Sequence, residues 1–310
     1  MDASSSPPGC PAIVNHELPG AFGAVEVTGL DPAVHPGDPA VAQWLRELLW
    51  HHGVICARLD AKLSDDDLRA VASLIGEVKD PVGEDDDGAP VRYGEPRQII
   101  DAGFVLTDEL REALGDVTFG GDDVRPGLFQ HFHTDDSYVA SPAAATVLHA
   151  RELPPGGGDT QFIDMRDAYA RLDPEQRAQL IGLRAVHAYN NDDAFPPRES
   201  ARGDLERLRK VAHPIVRAHP VTGAPALYFD LDRATHVEGL DVDEGRALLQ
   251  ALQDGAERDA VRYSHQWHDH DVLMWDNASV QHRASSDFTV GAPRRFWRYM
   301  IAGVAPVAYV

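Results

Sequence analysis

The residues best suited to chemistry are histidines that stand two positions away from another histidine or an aspartate. The chain contains 15 histidines, and three such pairs occur: His131/His133, His133/Asp135 and His268/His270. Side chains two apart on a β-strand point to the same face of the sheet, so each pair could offer two ligands to one metal ion. A pair alone is a weak signal, because most such pairs are structural or exposed.

The segment around Trp275 supplies the further context for one of these pairs. Trp275-Asp276-Asn277 ends an apolar run, and His282 stands five residues later. Together with His133 and Asp135 it makes a set of two imidazoles and one carboxylate. Such a set on one face of an octahedron suits ferrous iron that keeps three coordination positions open.

Two arginines further along the chain indicate that the protein binds an anion. If Arg294-Arg295-Phe296-Trp297-Arg298 is a strand, Arg294 and Arg298 share a face and lie about 13 Å apart. Burial of two guanidinium groups is costly unless anions bind them; the alternative is an exposed basic patch on an acidic protein. The loop Gly156-Gly157-Gly158-Asp159-Thr160 lacks the lysine and the following helix of a phosphate-binding loop, so by itself it indicates only a turn.

The elements that must position these residues are mainly strands. Short runs rich in Val, Phe, Tyr and Thr occupy residues 128–149, and strands are also predicted at 54–57, 261–263, 272–274 and 296–301. Helices are predicted from Val41 to near Gly53, after the N-cap Ser64, after Asp173-Pro174 and over about 242–254. This pattern predicts one β-rich domain with helices packed outside it.

Charge and composition exclude several classes of partner. The 310 residues include 28 Lys plus Arg and 50 Asp plus Glu, a net charge of −22 that repels phosphate backbones and anionic lipids. We therefore expect no nucleic-acid or membrane partner, and the lack of an export signal predicts a cytoplasmic location.

Two cysteines, Cys10 and Cys56, leave no disulfide framework and no cysteine-based zinc site. Residues 1–15 are expected to be a disordered leader and 16–310 a single domain; whether the chain forms a homo-oligomer stays open.

Four motifs, in order along the chain, resemble one family. They are His133-Thr134-Asp135, the loop from Leu153 to Thr160, Trp275-Asp276-Asn277 with His282, and Arg294 twelve residues after that histidine. They resemble the taurine dioxygenase family of Fe(II)/2-oxoglutarate-dependent oxygenases (TauD/TfdA-like), and the stretch from Thr235 to Leu240 resembles its 2,4-dichlorophenoxyacetate dioxygenase branch. The similarity extends from about Gly20 to about Val304. It implies an α+β fold with a mainly β core: a double-stranded β-helix (jelly roll, cupin-like) flanked by helices.

The resemblance also implies a role for each motif residue. His133, Asp135 and His282 would be the catalytic metal ligands that bind Fe(II). Thr160 and Arg294 would hold the far carboxylate of the co-substrate 2-oxoglutarate, the arginine through a planar two-point contact that lysine cannot form.

Substrate contacts follow from the same resemblance. Arg298 would meet the anionic group of the substrate, and Tyr138 would line the substrate pocket. The stretch Tyr299-Met300-Ile301 departs from the threonine-rich sequence expected after Arg298. Substrate specificity is expected to come from the loops at 81–128 and 190–213, because variable binding residues usually lie on loops.

The implied reaction uses O2 and 2-oxoglutarate to oxidise a C–H bond of a small organic acid, and it releases succinate and CO2. Hydroxylation is favoured over halogenation, because the halogenating relatives have a small residue where this chain has Asp135. Desaturation, epoxidation and oxidative cleavage remain open, as does a non-catalytic jelly-roll protein that binds a metal or a small acid. The coexistence of the metal ligands with Arg294 and Thr160 favours the enzyme.

Overall fold

The computed structural model describes residues 6–80, 82–84, 90–92, 98–101, 131–189, 208–285, 287 and 294–310. Most of the predicted specificity loops at 81–128 and 190–213 therefore lies outside the described residues. The last residues of the second loop differ from the prediction, because residues 211–213 belong to a strand that pairs along its length with a neighbouring strand.

Eighteen strands occur within the described ranges. They are β1 Val14–Glu17, β2 Val25–Thr28, β3 Val54–Ala57, β4 Val82–Glu84, β5 Pro90–Arg92, β6 Gln98–Asp101, β7 Ala145–Glu152, β8 Thr160–Asp164, β9 Arg184–His187, β10 Val211–Pro214, β11 Val216–Ala218, β12 Pro225–Leu227, β13 Ala234–Val237, β14 Arg262–His265, β15 Val272–Asp276, β16 Val280–Ala284, β17 Arg295–Ile301 and β18 Val307–Ala308. The prediction of a mainly β structure is confirmed.

Five helices accompany these strands in the same ranges: α1 Pro39–His52, α2 Asp65–Ile75, α3 Met165–Arg171, α4 Pro174–Leu180 and α5 Val242–Asp259. The predicted caps are confirmed: the Ser64 hydroxyl accepts from the Asp67 amide at 3.2 Å, and the Asp173 carboxylate accepts from the Gln176 amide at 2.8 Å. The first helix ends at Gly53, whose φ of +79° favours glycine. No helix in the described part is long and apolar enough to cross a membrane.

The largest sheet has seven strands in the order β1-β2-β3-β15-β7-β17-β6. Its pairs are antiparallel except β2 with β3, which is parallel. A smaller sheet has the order β14-β8-β16. The other described strands form the sheets β10-β9-β13 and β12-β11-β18 and the pair β4-β5.

The core lies on both faces of the seven-stranded sheet. On β15, Leu273 and Trp275 contact an apolar layer that also includes Phe162 of β8, so this layer lies between the large sheet and the sheet β14-β8-β16. Val272 and Met274 alternate with them and pack with the helical side of the core. Burial on both faces explains the unbroken apolar run before Asp276.

The predicted disordered leader, residues 1–15, needs a correction at its end. Ile13 is fully buried, and Val14 and Asn15 pair with β2 as part of β1. A short segment with few apolar residues gains order here because it adds to the edge of an existing sheet and inserts one isoleucine into the core.

Candidate metal and co-substrate site

Backbone hydrogen bonds bring His133 and His282 together. His282 lies in the middle of β16, and the amide of each histidine donates to the carbonyl of the other, at 3.0 and 2.9 Å. The two imidazole rings lie 4.3 Å apart, centroid to centroid. Asp135, two residues after His133, places a carboxylate oxygen 3.9 Å from His282 Nε2. One ligand atom from each residue lies within 4.8 Å of the others, and we call the three residues the cavity triad.

Hydrogen bonds orient these candidate ligands. His133 Nδ1 lies 3.0 Å from the carbonyl oxygen of His131, which can only accept, so Nδ1 carries the proton and Nε2 keeps its lone pair. The Thr146 hydroxyl donates to Asp135 Oδ2 at 2.6 Å, and the Asn277 side-chain amide donates to that hydroxyl at 3.0 Å. Asn277 of the Trp-Asp-Asn motif therefore orients Asp135 through Thr146, a residue that the sequence did not indicate.

The charge state of the cavity triad suits a metal ion. Burial alone would raise the pKa of Asp135, but His282, Arg298, His133 and the hydrogen bond from Thr146 together lower this pKa to about 2. Burial, aided by His133, lowers the pKa of His282 to about 3. At neutral pH the carboxylate is ionised and His282 is neutral, the forms that bind metals. Two nitrogens and a carboxylate that converge on the wall of a cavity fit ferrous iron with open positions.

Arg294 and Thr160 meet on the wall of the same cavity. Arg294 Nε donates to the Gly158 carbonyl at 2.8 Å, and Nη2 lies 3.2 Å from the Thr160 hydroxyl. Gly158 has φ of +77°, and a Cβ there would lie only 3.2 Å from Arg294 Cδ and Nε. The glycine-rich loop therefore allows the arginine to approach the backbone closely, which gives the loop a role beyond that of a turn.

Arg294 is a buried cation, with 4% of its surface exposed. Its described polar contacts are a carbonyl and a hydroxyl. Burial lowers its pKa to about 10, and the charges of Asp159 and Asp287 oppose this shift. A buried guanidinium whose hydrogen-bond partners are neutral is costly unless an anion binds it directly. The cavity is therefore suited to a carboxylate at this position.

Trp267 is a residue of this site that the sequence did not predict. Its indole Nε1 donates to the Thr160 hydroxyl at 3.0 Å. Because Arg294 Nη2 also donates to this oxygen, the hydroxyl proton of Thr160 is directed to a further acceptor. Strand register brings the indole here: His265 pairs with Thr160 between β14 and β8, and Trp267 follows two residues later.

One cavity contains both groups of residues. Its wall is formed by His133, Asp135, Leu148, Thr160, Trp275, His282, Ala284, Arg294, Phe296 and Arg298. Six of the seven site residues predicted from the sequence belong to this wall. The structure thus brings the predicted metal ligands and the predicted co-substrate contacts to one space.

The two predicted substrate contacts differ in position. Arg298 lines the cavity, and its Nη1 lies 3.4 Å from Asp135 Oδ1. Tyr138 is not part of the described wall: its hydroxyl donates to Asp136 at 3.2 Å and its ring packs edge-on against Tyr189. Contact between Tyr138 and a substrate stays a prediction.

Comparison with known proteins agrees with this geometry. A family model described as taurine catabolism dioxygenase TauD, TfdA family matches residues 15–300. The chain belongs to this family. The resemblance predicted from the four sequence motifs is therefore confirmed.

Individual relatives match this TauD/TfdA chain to different extents. A 2,4-dichlorophenoxyacetate dioxygenase from Cupriavidus pinatubonensis is 39% identical over 155 residues, which is 50% of this chain and 54% of the relative. An alpha-ketoglutarate-dependent sulfate ester dioxygenase from Pseudomonas putida is 29% identical over 304 residues, 94% of this chain and 90% of the relative. The chain thus spans about half the length of the first curated relatives it matches.

Solved structures match over almost the whole chain. The crystal structure of AAD-2 in complex with Mn(II) and N-oxalylglycine has a TM-score of 0.71 at 26% identity, and the match covers 95% of this chain and 99% of that one. A taurine dioxygenase from Burkholderia xenovorans has a TM-score of 0.72 at 26% identity and covers 96% of this chain and 93% of that one. The similarity in fold therefore includes the sheets that carry the cavity.

Proposed function

We propose that the chain is an Fe(II)- and 2-oxoglutarate-dependent dioxygenase that hydroxylates a C–H bond of a small anionic organic substrate. The observation that carries this proposal is the presence of the cavity triad and of Arg294 with Thr160 on the wall of one cavity. A protein that only stored a metal ion would need no buried guanidinium beside its ligands. Membership of the TauD/TfdA family supports the same reaction class.

The cavity triad holds the ferrous ion in this proposal. Three protein ligands leave coordination positions for 2-oxoglutarate and O2. When bound, iron would supply the oxidising chemistry: 2-oxoglutarate and O2 are consumed, and succinate and CO2 are released. The chain keeps Asp135 ionised through the charge of Arg298 and the hydrogen bond from Thr146, and directs His133 Nε2 away from the His131 carbonyl.

Arg294 and Thr160 hold the far carboxylate of 2-oxoglutarate. The guanidinium is fixed by its bond to the Gly158 carbonyl, and Thr160 can donate its proton because its oxygen already accepts from Trp267 and Arg294. Apolar side chains, Leu148, Trp275 and Phe296, form the rest of the same wall and limit the water that competes for these contacts.

A small organic acid is the proposed substrate, and Arg298 is its proposed anion contact. Because Arg298 lies 3.4 Å from Asp135, an anion bound to it would lie beside the metal ligands. Relatives named for their substrates act on 2,4-dichlorophenoxyacetate, sulfate esters and (S)-phenoxypropionate. Exchange of Arg298 for Leu should stop turnover of an acidic substrate while some succinate release continues; unaltered turnover would place the anion elsewhere.

We also propose that the large sheet and the sheet β14-β8-β16 form the two walls of a double-stranded β-helix, within a single domain that covers 16–310 together with the ordered residues Ile13, Val14 and Asn15. The shared apolar layer between them supports this arrangement. The cytoplasmic location and a homo-oligomer stay predictions.

An anaerobic titration tests the function. Fe(II) and 2-oxoglutarate are added to the metal-free chain without O2, and the visible charge-transfer band of the chelate is recorded. We expect the band in the native chain and its loss in Asp135→Ala combined with His282→Ala. The absence of the native band, or its persistence in the double variant, would show that these ligands are wrongly assigned.

A screen of small organic acids completes this test. With O2 present, acids that fit the cavity should accelerate succinate release by the Fe(II)-loaded chain. A chelate band without succinate release from any acid would indicate a carrier or a sensor instead of an enzyme.

A further inference from the structure

A second group of ligand-type side chains lies apart from the cavity wall. Cys56 of β3, His265 at the end of β14 and Asp271, just before β15, each place one ligand atom within 4.8 Å of the other two. We call these residues the buried triad. Each is at most 1% exposed, and none of them lines the cavity.

The separations within the buried triad bracket those of atoms that share an ion. His265 Nε2 lies 3.9 Å from Cys56 Sγ and 3.1 Å from Asp271 Oδ2. Ligand atoms bound to a tetrahedral zinc ion are roughly 3.3–3.8 Å apart, given metal–ligand distances of about 2.0–2.3 Å. The spacing in the cavity triad, 3.9 Å between His282 Nε2 and Asp135 Oδ2, is of the same size.

Partners outside the buried triad orient two of its members. The Tyr263 hydroxyl lies 2.9 Å from His265 Nδ1, which leaves Nε2 directed at the thiol and the carboxylate. Arg58 Nε donates to Asp271 Oδ1 at 3.1 Å, and Oδ2, which faces the imidazole, also accepts from the His268 amide at 2.9 Å. Metal-binding histidines and carboxylates are commonly held by such contacts to the atom that does not bind the metal.

The surroundings favour a neutral complex. Cys56 belongs to the apolar layer between the two sheets, where a net charge is costly. One thiolate and one carboxylate balance the two charges of a divalent ion, and binding releases the thiol proton. A thiolate also favours zinc over magnesium or calcium, which prefer oxygen ligands.

We propose that Cys56, His265 and Asp271 form a second metal site, which binds zinc or a divalent ion of similar softness. The ion would join β3 of the large sheet to β14 of the smaller one, and so would stabilise the fold instead of taking part in oxidation. This inference does not depend on the proposed function.

Cobalt(II) titration of the metal-free, full-length chain tests the proposal. Cobalt substitutes for zinc, and only a cysteine ligand gives a thiolate-to-cobalt charge-transfer band. We expect the native chain to bind two cobalt ions and to show this band. Cys56→Ser should bind one ion and lack the band, whereas His133→Ala combined with His282→Ala should bind one ion and keep it. Cys10→Ser is the matched control and should behave like the native chain.

Thermal unfolding provides a second readout. Added zinc should raise the melting temperature of the His133→Ala, His282→Ala variant, but not that of the same variant when Cys56→Ser is added, because the triple variant keeps neither set of ligands. If Cys56→Ser does not fold, His265→Gln takes its place with the same expected loss of the band. A native chain without the band, or a band that is unchanged by these substitutions, would overturn the proposal and leave the buried triad as a hydrogen-bonded group.

Discussion

The cavity triad and the buried triad both combine histidine with aspartate, yet their surroundings give them opposite characters. The cavity triad shares its wall with Arg294 and Arg298, so it faces a space that can admit further ligands. The buried triad has no exposed member, and Cys56 belongs to the apolar layer, where burial raises the pKa of its thiol well above its ordinary value. Residue type selects the ion, but the neighbouring side chains decide whether its coordination is open or closed.

Removal of Arg294 tests whether the cavity triad faces a space that admits further ligands. This substitution has the largest expected effect. Arg294→Ala should weaken 2-oxoglutarate binding roughly 150- to 5,000-fold, because loss of one partner of a buried ion pair costs about 3–5 kcal/mol. Calorimetric titration of the Fe(II)-loaded chain without O2 measures the affinity. Arg294→Lys keeps the charge without the planar contact and should give an intermediate value. Unchanged affinity in Arg294→Ala would remove this residue from the site.

Removal of Asp271 tests whether the enclosed contacts of the buried triad stabilise the fold. Its carboxylate accepts from Arg58, from His265 and from the His268 amide. In the presence of a chelator, Asp271→Ala should lower the free energy of unfolding by about 3 kcal/mol, because hydrogen bonds to an ionised group contribute about 1.5–3 kcal/mol each. Urea denaturation measures this change.

Asp135→Ala is the matched control for that substitution. It should abolish iron binding at a smaller cost in the free energy of unfolding, because its partner Arg298 lines a cavity that water can enter. Equal losses of stability for Asp135→Ala and Asp271→Ala would break the contrast between the two triads.

Local signals made much of the fold predictable. The caps at Ser64 and Asp173 and the end of α1 at Gly53 depend on neighbours within four residues, so the sequence contains them in full. Strand pairing does not depend on near neighbours: β7 lies between β15 and β17, and β2 pairs in parallel with β3. The prediction that Ile13 is disordered was wrong for the same reason. Ile13 is ordered by contacts with residues outside its own segment.

The candidate site also contains residues that local sequence predicts and residues that only strand pairing brings there. His133, Asp135 and His282 were predictable because they stand in spaced motifs, whereas Trp267 reaches Thr160 only through the register of β14 with β8. The buried triad gave no signal, since Cys56 and His265 are 209 residues apart.

Tyr138 shows a limit of motif spacing. Asp136 adopts a left-handed conformation, with φ of +59°, so the chain turns immediately after Asp135. The tyrosine packs against Tyr189 outside the described wall of the cavity. A fixed distance from His133 along the chain therefore does not determine which way this ring faces.

Acidification tests His149, a histidine whose ring contacts the backbone of Asp271 in the buried triad. His149 Nε2 accepts from the Leu63 amide, and Nδ1 donates to the Asp271 carbonyl. Burial lowers the pKa of His149 from 6.5 to about 4. Because the unfolded chain takes up this proton first, the stabilisation is complete above pH 6.5 and is lost as the pH falls towards 4.

The expected contribution of His149 is about 1.4 kcal/mol of unfolding free energy per pH unit in this window. Urea denaturation of the native chain and of His149→Gln at pH 6.5, 5.5 and 4.5 measures it, and the variant should show a slope smaller by that amount. Parallel slopes would mean that another group accounts for the acid sensitivity.

The smallest expected effect concerns Trp267, which lies between the two triads: its ring packs at right angles against His265, 4.7 Å away, and its indole donates to Thr160. Trp267→Phe should weaken 2-oxoglutarate binding about 2- to 10-fold, since a hydrogen bond contributes about 0.5–1.5 kcal/mol. The KM for 2-oxoglutarate should rise while the KM for the organic substrate stays constant. Trp44→Phe is the matched control, because Trp44 is a buried tryptophan on the helical side of the core and does not belong to the described wall of the cavity. Equal changes in both variants would mean that ring packing, and not the bond to Thr160, is responsible.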